Sequence, residues 1–192
     1  MKSVLISIQP KWCELIAKGD KMIEVRKTKP KIDTPFKCYI YETQSLYKGS
    51  GGCLLNGRGK VIGEFWCYEI TKFNPTMDLK QLTSIDFQMC EKSCVNMADL
   101  YKYANGKMLY GWHISNLIIY ENPKDLSEFS VIDDKAIKEC EHRDRVYQNP
   151  DYVNGAWLFG GCVCNKGEID WCCDCKRKPL ARPPQSWCYV ED

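Results

Sequence analysis

Histidine is scarce in this chain of 192 residues, which holds two, His113 and His142. Neither an H-E-x-x-H pair nor a G-x-S-x-G turn occurs, which removes the zinc-protease and serine-hydrolase patterns. No run of about 18 apolar residues is present, so no membrane-spanning helix is expected. The opening apolar stretch is broken at Gln9, Pro10 and Lys11 before a secretory core is complete, and no small-residue cleavage site follows. The sequence therefore reads as cytoplasmic. An excess of one charge is also lacking. The 27 Lys and Arg against 25 Asp and Glu leave a net +2, without the global basic character that announces a nucleic-acid binder. The glycine-rich stretch Tyr47–Lys60 has no Gly-Lys-Ser/Thr leading into a helix, so a hairpin loop is the default reading over a phosphate cradle.

What is present is an ordinary globular composition, 44% hydrophobic and 27% charged, enough for one domain with an elaboration. The charge is unevenly placed. Met1 to Lys31 carries eight bases against three acids, and Glu121 to Asp144 carries eight acids against four bases. Such a field has direction, although two solvated faces would look the same.

Ser3–Ile8 predicts a strand, and Pro10 to Gly19 a short helix with Trp12, Leu15 and Ile16 on one face. "MIEVRK" predicts a second strand and Pro35–Thr43 a third. "KVIGEFWCYEI" and "KMLYGWHISNLIIYE" each read as one strand, the latter ended by Pro123. "SCVNMADLYKYANG" reads as a helix with Ser93 as N-cap. Short strands with two or three helices suggest a small curled sheet or barrel.

In "GDKMIEVRK" the alternation puts Glu24 and Arg26 on one face of a strand, roughly 6–7 Å apart at Cα, with Lys21 at the turn before it. Lys21 can reach a phosphate as a point charge. Arg26 offers a planar fork for phosphate, carboxylate or a base edge. Glu24 can hold Arg26, accept from a base amino group, or take a proton. Trp12 can supply a stacking plane. Gln9, Lys11, Trp112, His113, Asn116 and Trp187 are further ligand-binding candidates. The bland reading is a surface ion pair worth about 0–1 kcal/mol, with Trp12 and Trp187 in the core.

"GDKMIEVR" matches the G-x-K-x-x-E-x-R signature of ASCH domains, a branch of the PUA-like superfamily. "SIQPKWCELIAKG", "CYIYET", "GKVIGEF", "YGWHISNLIIYENPKDLSEF" and "PPQSWCYV" resemble the same family in the same order, most nearly its bacterial and phage-borne members. The resemblance implies an α+β fold, a PUA-like small β-barrel with flanking helices and a cleft beside the first helix. Residues 1–129 would form it, 182–192 would supply the closing strand, and 130–181 would be a charged, Cys-rich insertion. It also implies binding of RNA or a nucleotide-like ligand. Some members hydrolyse acylated cytidine with a threonine where this chain has Glu24, so an amidohydrolase or esterase on a modified nucleoside, using Lys21 and Glu24, is the second expectation. The missing hydroxyl leans the reading away from an enzyme. A phage-type module binding a host protein through the acidic Glu121–Asp144 stretch is the third.

Thirteen cysteines without a secretory start argue for reduced thiols. Cys162, Cys164, Cys172 and Cys175 form C-x-C and C-x-x-C pairs whose spacing suits structural zinc. Free thiols in a loop and disulfides are the alternatives. Cys140, His142 or Cys188 could replace one ligand.

Overall fold

The computed structural model describes residues 2–48, 52, 54–78, 80–132, 152–153, 156–157, 162–163, 169–170 and 177–191. The fold is mixed α+β. Strand β1 (Lys2–Ile8) leads into helix α1 (Pro10–Lys18) and strand β2 (Ile23–Arg26), followed by β3 (Phe36–Glu42). A small hairpin, β4 (Leu46–Lys48) and β5 (Leu54–Asn56), precedes β6 (Lys60–Cys67) and β7 (Ile70–Phe73). Helices α2 (Ser84–Ser93) and α3 (Met97–Ala104) follow, then β8 (Leu109–His113), β9 (Ser115–Lys124), a 3-10 turn at Leu126–Glu128 and β10 (Ser130–Ile132). Two-residue ladders pair β11 (Tyr152–Val153) with β12 (Ala156–Trp157), and β13 (Cys162–Val163) with β14 (Ile169–Asp170). The chain returns through β15 (Arg177–Pro179) and β16 (Trp187–Glu191).

The main sheet has the order β15-β10-β16-β1-β3-β6-β9, and a second has the order β2-β8-β7. Only β1 and β3 run parallel in the main sheet, with Ile6 opposite Ile40, because α1 and β2 supply the crossover between them. Strand β1 is buried on both faces from Ser3 to Ile8, as a central strand requires. Val4, Ile6 and Ile8 pack with Cys13 and Ile16 of α1 and with Phe65 and Trp112. Leu5 packs on the opposite face with Tyr39, Tyr41 and Phe129. In β2, Ile23 and Val25 face Met89 of α2 and Leu100 of α3. Glu24 and Arg26 consequently turn the other way.

Three sequence expectations change. The strands do not close into a barrel among the described residues. β6–β7 and β8–β9 instead bend from one sheet into the other at residues 68–69 and at Ile114. Ser93 is the last residue of α2, not an N-cap. Thr83 and Asp86 start that helix with a capping box, and the Asn96 side chain accepts the Asp99 N–H to start α3. Pro123 does not end β9, since a strand at the sheet edge tolerates the missing N–H.

Candidate functional site

Gly19 stops α1 at φ 81°, a conformation that glycine adopts without strain, and its N–H bonds the Ile16 carbonyl. The Asp20 and Lys21 N–H groups both return to the Leu15 carbonyl, so the turn delivers Lys21 to the base of the helix. The partner that receives it comes from far along the chain. Gly111 lets α2 press close, since a Cβ there would lie 2.8 Å from Met89 Sδ. The Ser93 carbonyl at the end of α2 thereby accepts from Lys21 Nζ at 2.8 Å.

Lys21 Nζ also lies 3.3 Å from Glu24 Oε2, and Arg26 Nη2 lies 3.0 Å from Glu24 Oε1. Arg26 further donates to the Ser7 carbonyl, tying β2 to β1 across the gap between the two sheets. The three side chains are 2%, 8% and 12% exposed for Lys21, Glu24 and Arg26. This excludes the surface ion pair expected of the bland reading. One carboxylate faces two basic side chains, so with Lys21 protonated the network carries a net positive charge in an interior where each ion costs several kcal/mol to desolvate. Arg26 Nε is buried without a partner. A hydrophobic trio would be the cheaper way to fill this space.

Burial pulls the Lys21 pKa below its usual value of 10.5, while Glu24 acts in the opposite direction. The unfolded chain then binds more protons than the folded one in the window below 10.5. The cost of the buried ammonium is fully present below the folded pKa and is relieved as pH rises through that window. Unfolding free energy of the wild type, measured relative to Lys21→Met, is therefore expected to increase as pH is raised from neutrality toward 10.5. A falling difference would mean that Glu24 outweighs burial, and a flat one that the two cancel.

The ion network floors a cleft of about 350 Å³. Gln9, Lys11 and Trp12 line it at the start of α1, and Val95 before α3 with Asp99, Leu100 and Tyr103 of α3 completes the lining. Lys11 Nζ and Lys21 Nζ lie 4.6 and 5.1 Å from the Trp12 ring centroid. Lys27 Nζ lies 4.7 Å from that of Tyr103. Of the candidates named from sequence, the structure thus brings together Gln9, Lys11, Trp12, Lys21, Glu24 and Arg26.

Four others stand outside the cleft. Trp112 lies opposite Glu24 in the β2–β8 ladder but is fully buried, edge-on to Phe36 at 5.7 Å, and has no surface to offer a ligand. His113 Nε2 is 2.8 Å from the Thr71 hydroxyl and 3.9 Å from Glu69, and burial lowers its pKa. Asn116 is exposed at φ 50° and donates to the Tyr68 hydroxyl. Trp187 donates to Thr28 Oγ1 at 3.0 Å and packs on Trp112. The α3 wall was missed altogether, because nothing local in residues 95–103 signals which strand they will face.

The thiols of Cys13 and Cys38 are pushed far up by burial, and that of Cys67 to about 12, so these cysteines are poor nucleophiles. Cys164, Cys172 and Cys175, named above as zinc ligands, lie outside the described residues, and of Cys162 only the backbone is described. Among the described residues no group of three or more His, Cys, Asp or Glu could hold a metal, and no helix is long and apolar enough to cross a membrane.

The sequence matches no family model and no curated protein. Among solved structures the chain is similar to ASCH from Zymomonas mobilis. The identity is 16% and the TM-score 0.49, over 81% of this chain and 87% of that one. A tyrosine-to-phenylalanine mutant of the same protein gives 14% and 0.46, over 82% and 91%.

Proposed function

We propose that the cleft binds a nucleotide-like ligand or one nucleotide of a single-stranded RNA. The observation that carries this reading is the buried Lys21–Glu24–Arg26 network, which sets two basic side chains against one carboxylate in a cleft lined by Trp12 and Tyr103. A volume of about 350 Å³ suits a small ligand rather than a duplex. A splayed base can stack on an aromatic wall while its phosphate meets Lys11 or the floor cations. The ASCH-type signature "GDKMIEVR" supports the same reading from sequence, as it supports a PUA-like domain. Zinc on Cys162, Cys164, Cys172 and Cys175 belongs to the proposal on spacing alone.

A hydrolase of modified nucleosides is the second reading, favoured by the depressed pKa of Lys21, which eases its use as a base. Two observations weigh against it. Both oxygens of Glu24 already face cations. The hydroxyl of Ser7, a residue of the cleft lining, already donates to the Pro184 carbonyl at 2.6 Å.

The test is a titration with a labelled single-stranded RNA pool and with a duplex of matched length, at low and near-physiological salt. Single strands are expected to bind in preference to duplex and to weaken with salt. Lys11→Ala/Tyr103→Ala is expected to lose roughly tenfold or more. Absence of RNA and mononucleotide binding at low salt would sink the reading. Turnover of acylated cytidine by the wild type would move the hydrolase ahead.

A further inference from the structure

The segment that leaves the cleft floor, Lys27-Thr28-Lys29-Pro30-Lys31, alternates lysine with residues that anchor it. Pro30 is buried, and Ile32 beyond it packs against the main core. Thr28 Oγ1 accepts from Trp187 Nε1 at 3.0 Å, and the Lys31 N–H donates to the Tyr189 hydroxyl at 2.6 Å. Trp187 and Tyr189 are themselves packed edge to face, 5.4 Å apart. Lys27, Lys29 and Lys31 are all exposed, and none forms an ion pair among the described residues. From Arg26 to Asp33 four bases stand against one acid.

A run of lysines on a chain segment is ordinarily a solvated face. Here the segment is pinned at three successive points, so the three ammonium groups share one anchored base. The segment lies outside β2, with bends at Lys27 and Lys31, so four residue steps reach at most roughly 13 Å, an upper bound that leaves room for more than one phosphate. The ridge also begins at the cleft mouth, since Lys27 Nζ lies over the ring of Tyr103, a cleft wall.

We propose that residues 27–31 are the phosphate track of a single-stranded nucleic acid, one base of which enters the cleft. This rests on the nucleotide-binding reading above and names the ligand as a polymer with a direction across the surface. Each lysine acts as a point charge that releases a condensed counterion when a phosphate arrives. The track itself carries no base preference, which would reside in the cleft.

The experiment compares Lys27→Ala/Lys29→Ala/Lys31→Ala with wild type. Its probes are a labelled ten-nucleotide single-stranded RNA of mixed sequence, the same length of single-stranded DNA, and the four nucleoside monophosphates. The triple variant is expected to lose about tenfold or more in RNA affinity. Its slope of log affinity against log salt should shrink by about 2, three contacts at roughly 0.7 each. Mononucleotide affinity should be unchanged in Lys29→Ala/Lys31→Ala, which leaves Lys27 over the Tyr103 ring. DNA that follows RNA would make the phosphodiester chain the shared determinant, and RNA affected alone would add the 2′-hydroxyl; both fit the track.

If RNA affinity and salt slope are unchanged by the triple variant while Tyr103→Ala still weakens binding, the track is wrong and the cleft reading stands. An equal loss for mononucleotides and RNA in Lys29→Ala/Lys31→Ala would also overturn the track, placing the lysines in the cleft. A wild type that binds none of the probes at low salt overturns both.

Discussion

Glu24→Ala should cost about 3–5 kcal/mol of stability, because it leaves two buried cations without their counter-ion. Lys21 and Arg26 both lean on this one carboxylate, at 3.3 and 3.0 Å. Lys21 can shed its proton when burial is uncompensated, but a guanidinium cannot. Arg26 would remain charged, 12% exposed, still donating to the Ser7 carbonyl. For a chain of this size each kcal/mol shifts the melting temperature by roughly 2–4 °C, so a fall of roughly 6–20 °C is expected. Glu24→Gln, which keeps an acceptor, should cost less than alanine.

The informative companion is the apolar trio Lys21→Met/Glu24→Leu/Arg26→Met. Replacing a whole buried ion network by apolar groups of similar volume is often neutral or stabilising. The trio should recover at least half of the Glu24→Ala loss, the remainder reflecting orphaned carbonyls at Ser7 and Ser93. It should also abolish binding of single-stranded RNA and mononucleotides. Recovered stability without binding would show that the charges are held for a ligand. Recovered stability with binding intact would assign them to the architecture of the sheet seam instead. A loss below about 1 kcal/mol for Glu24→Ala would mean that the network is solvated.

The second large effect is expected at Trp12. If a base stacks on its ring, Trp12→Ala should weaken RNA binding by about 1–3 kcal/mol, roughly 5- to 150-fold. Trp12→Phe should retain most of the affinity. The diagnostic is the salt slope, which should not change, because no phosphate contact is removed. This separates Trp12 from Lys11, whose loss should flatten the slope by roughly 0.7. Some stability will be lost with the alanine variant, since Trp12 packs partly against the main core. A lower melting temperature with unaltered RNA affinity would identify Trp12 as a core residue alone.

The floor of this cleft was legible in the sequence and its α3 lining was not. Lys21, Glu24 and Arg26 lie within six residues, and their relative placement follows from local rules. A left-handed glycine ends the helix, a turn follows, and a strand alternates its side chains. Gln9, Lys11 and Trp12 follow in the same way, because Pro10 at the first helical position fixes where α1 begins. Trp112, His113 and Asn116 were grouped from one continuous strand. Ile114 breaks that strand between two sheets, and the three residues end in a core, at the end of a central strand and on the surface.

The sequence by itself determined the charges, their shared face, and the glycine and proline that bracket the first helix. These depend on backbone geometry over a few residues, which side-chain chemistry specifies directly. The tertiary structure alone decided that the charges are buried, that Ser93 and Ser7 supply carbonyls to Lys21 and Arg26, and that Tyr103 and Trp12 line the same cleft. Those pairings join residues separated by 19 to 72 positions or more along the chain. They exist only because Ile23 and Val25 bury themselves against α2 and α3, which obliges the opposite face of β2 to turn inward with its ions.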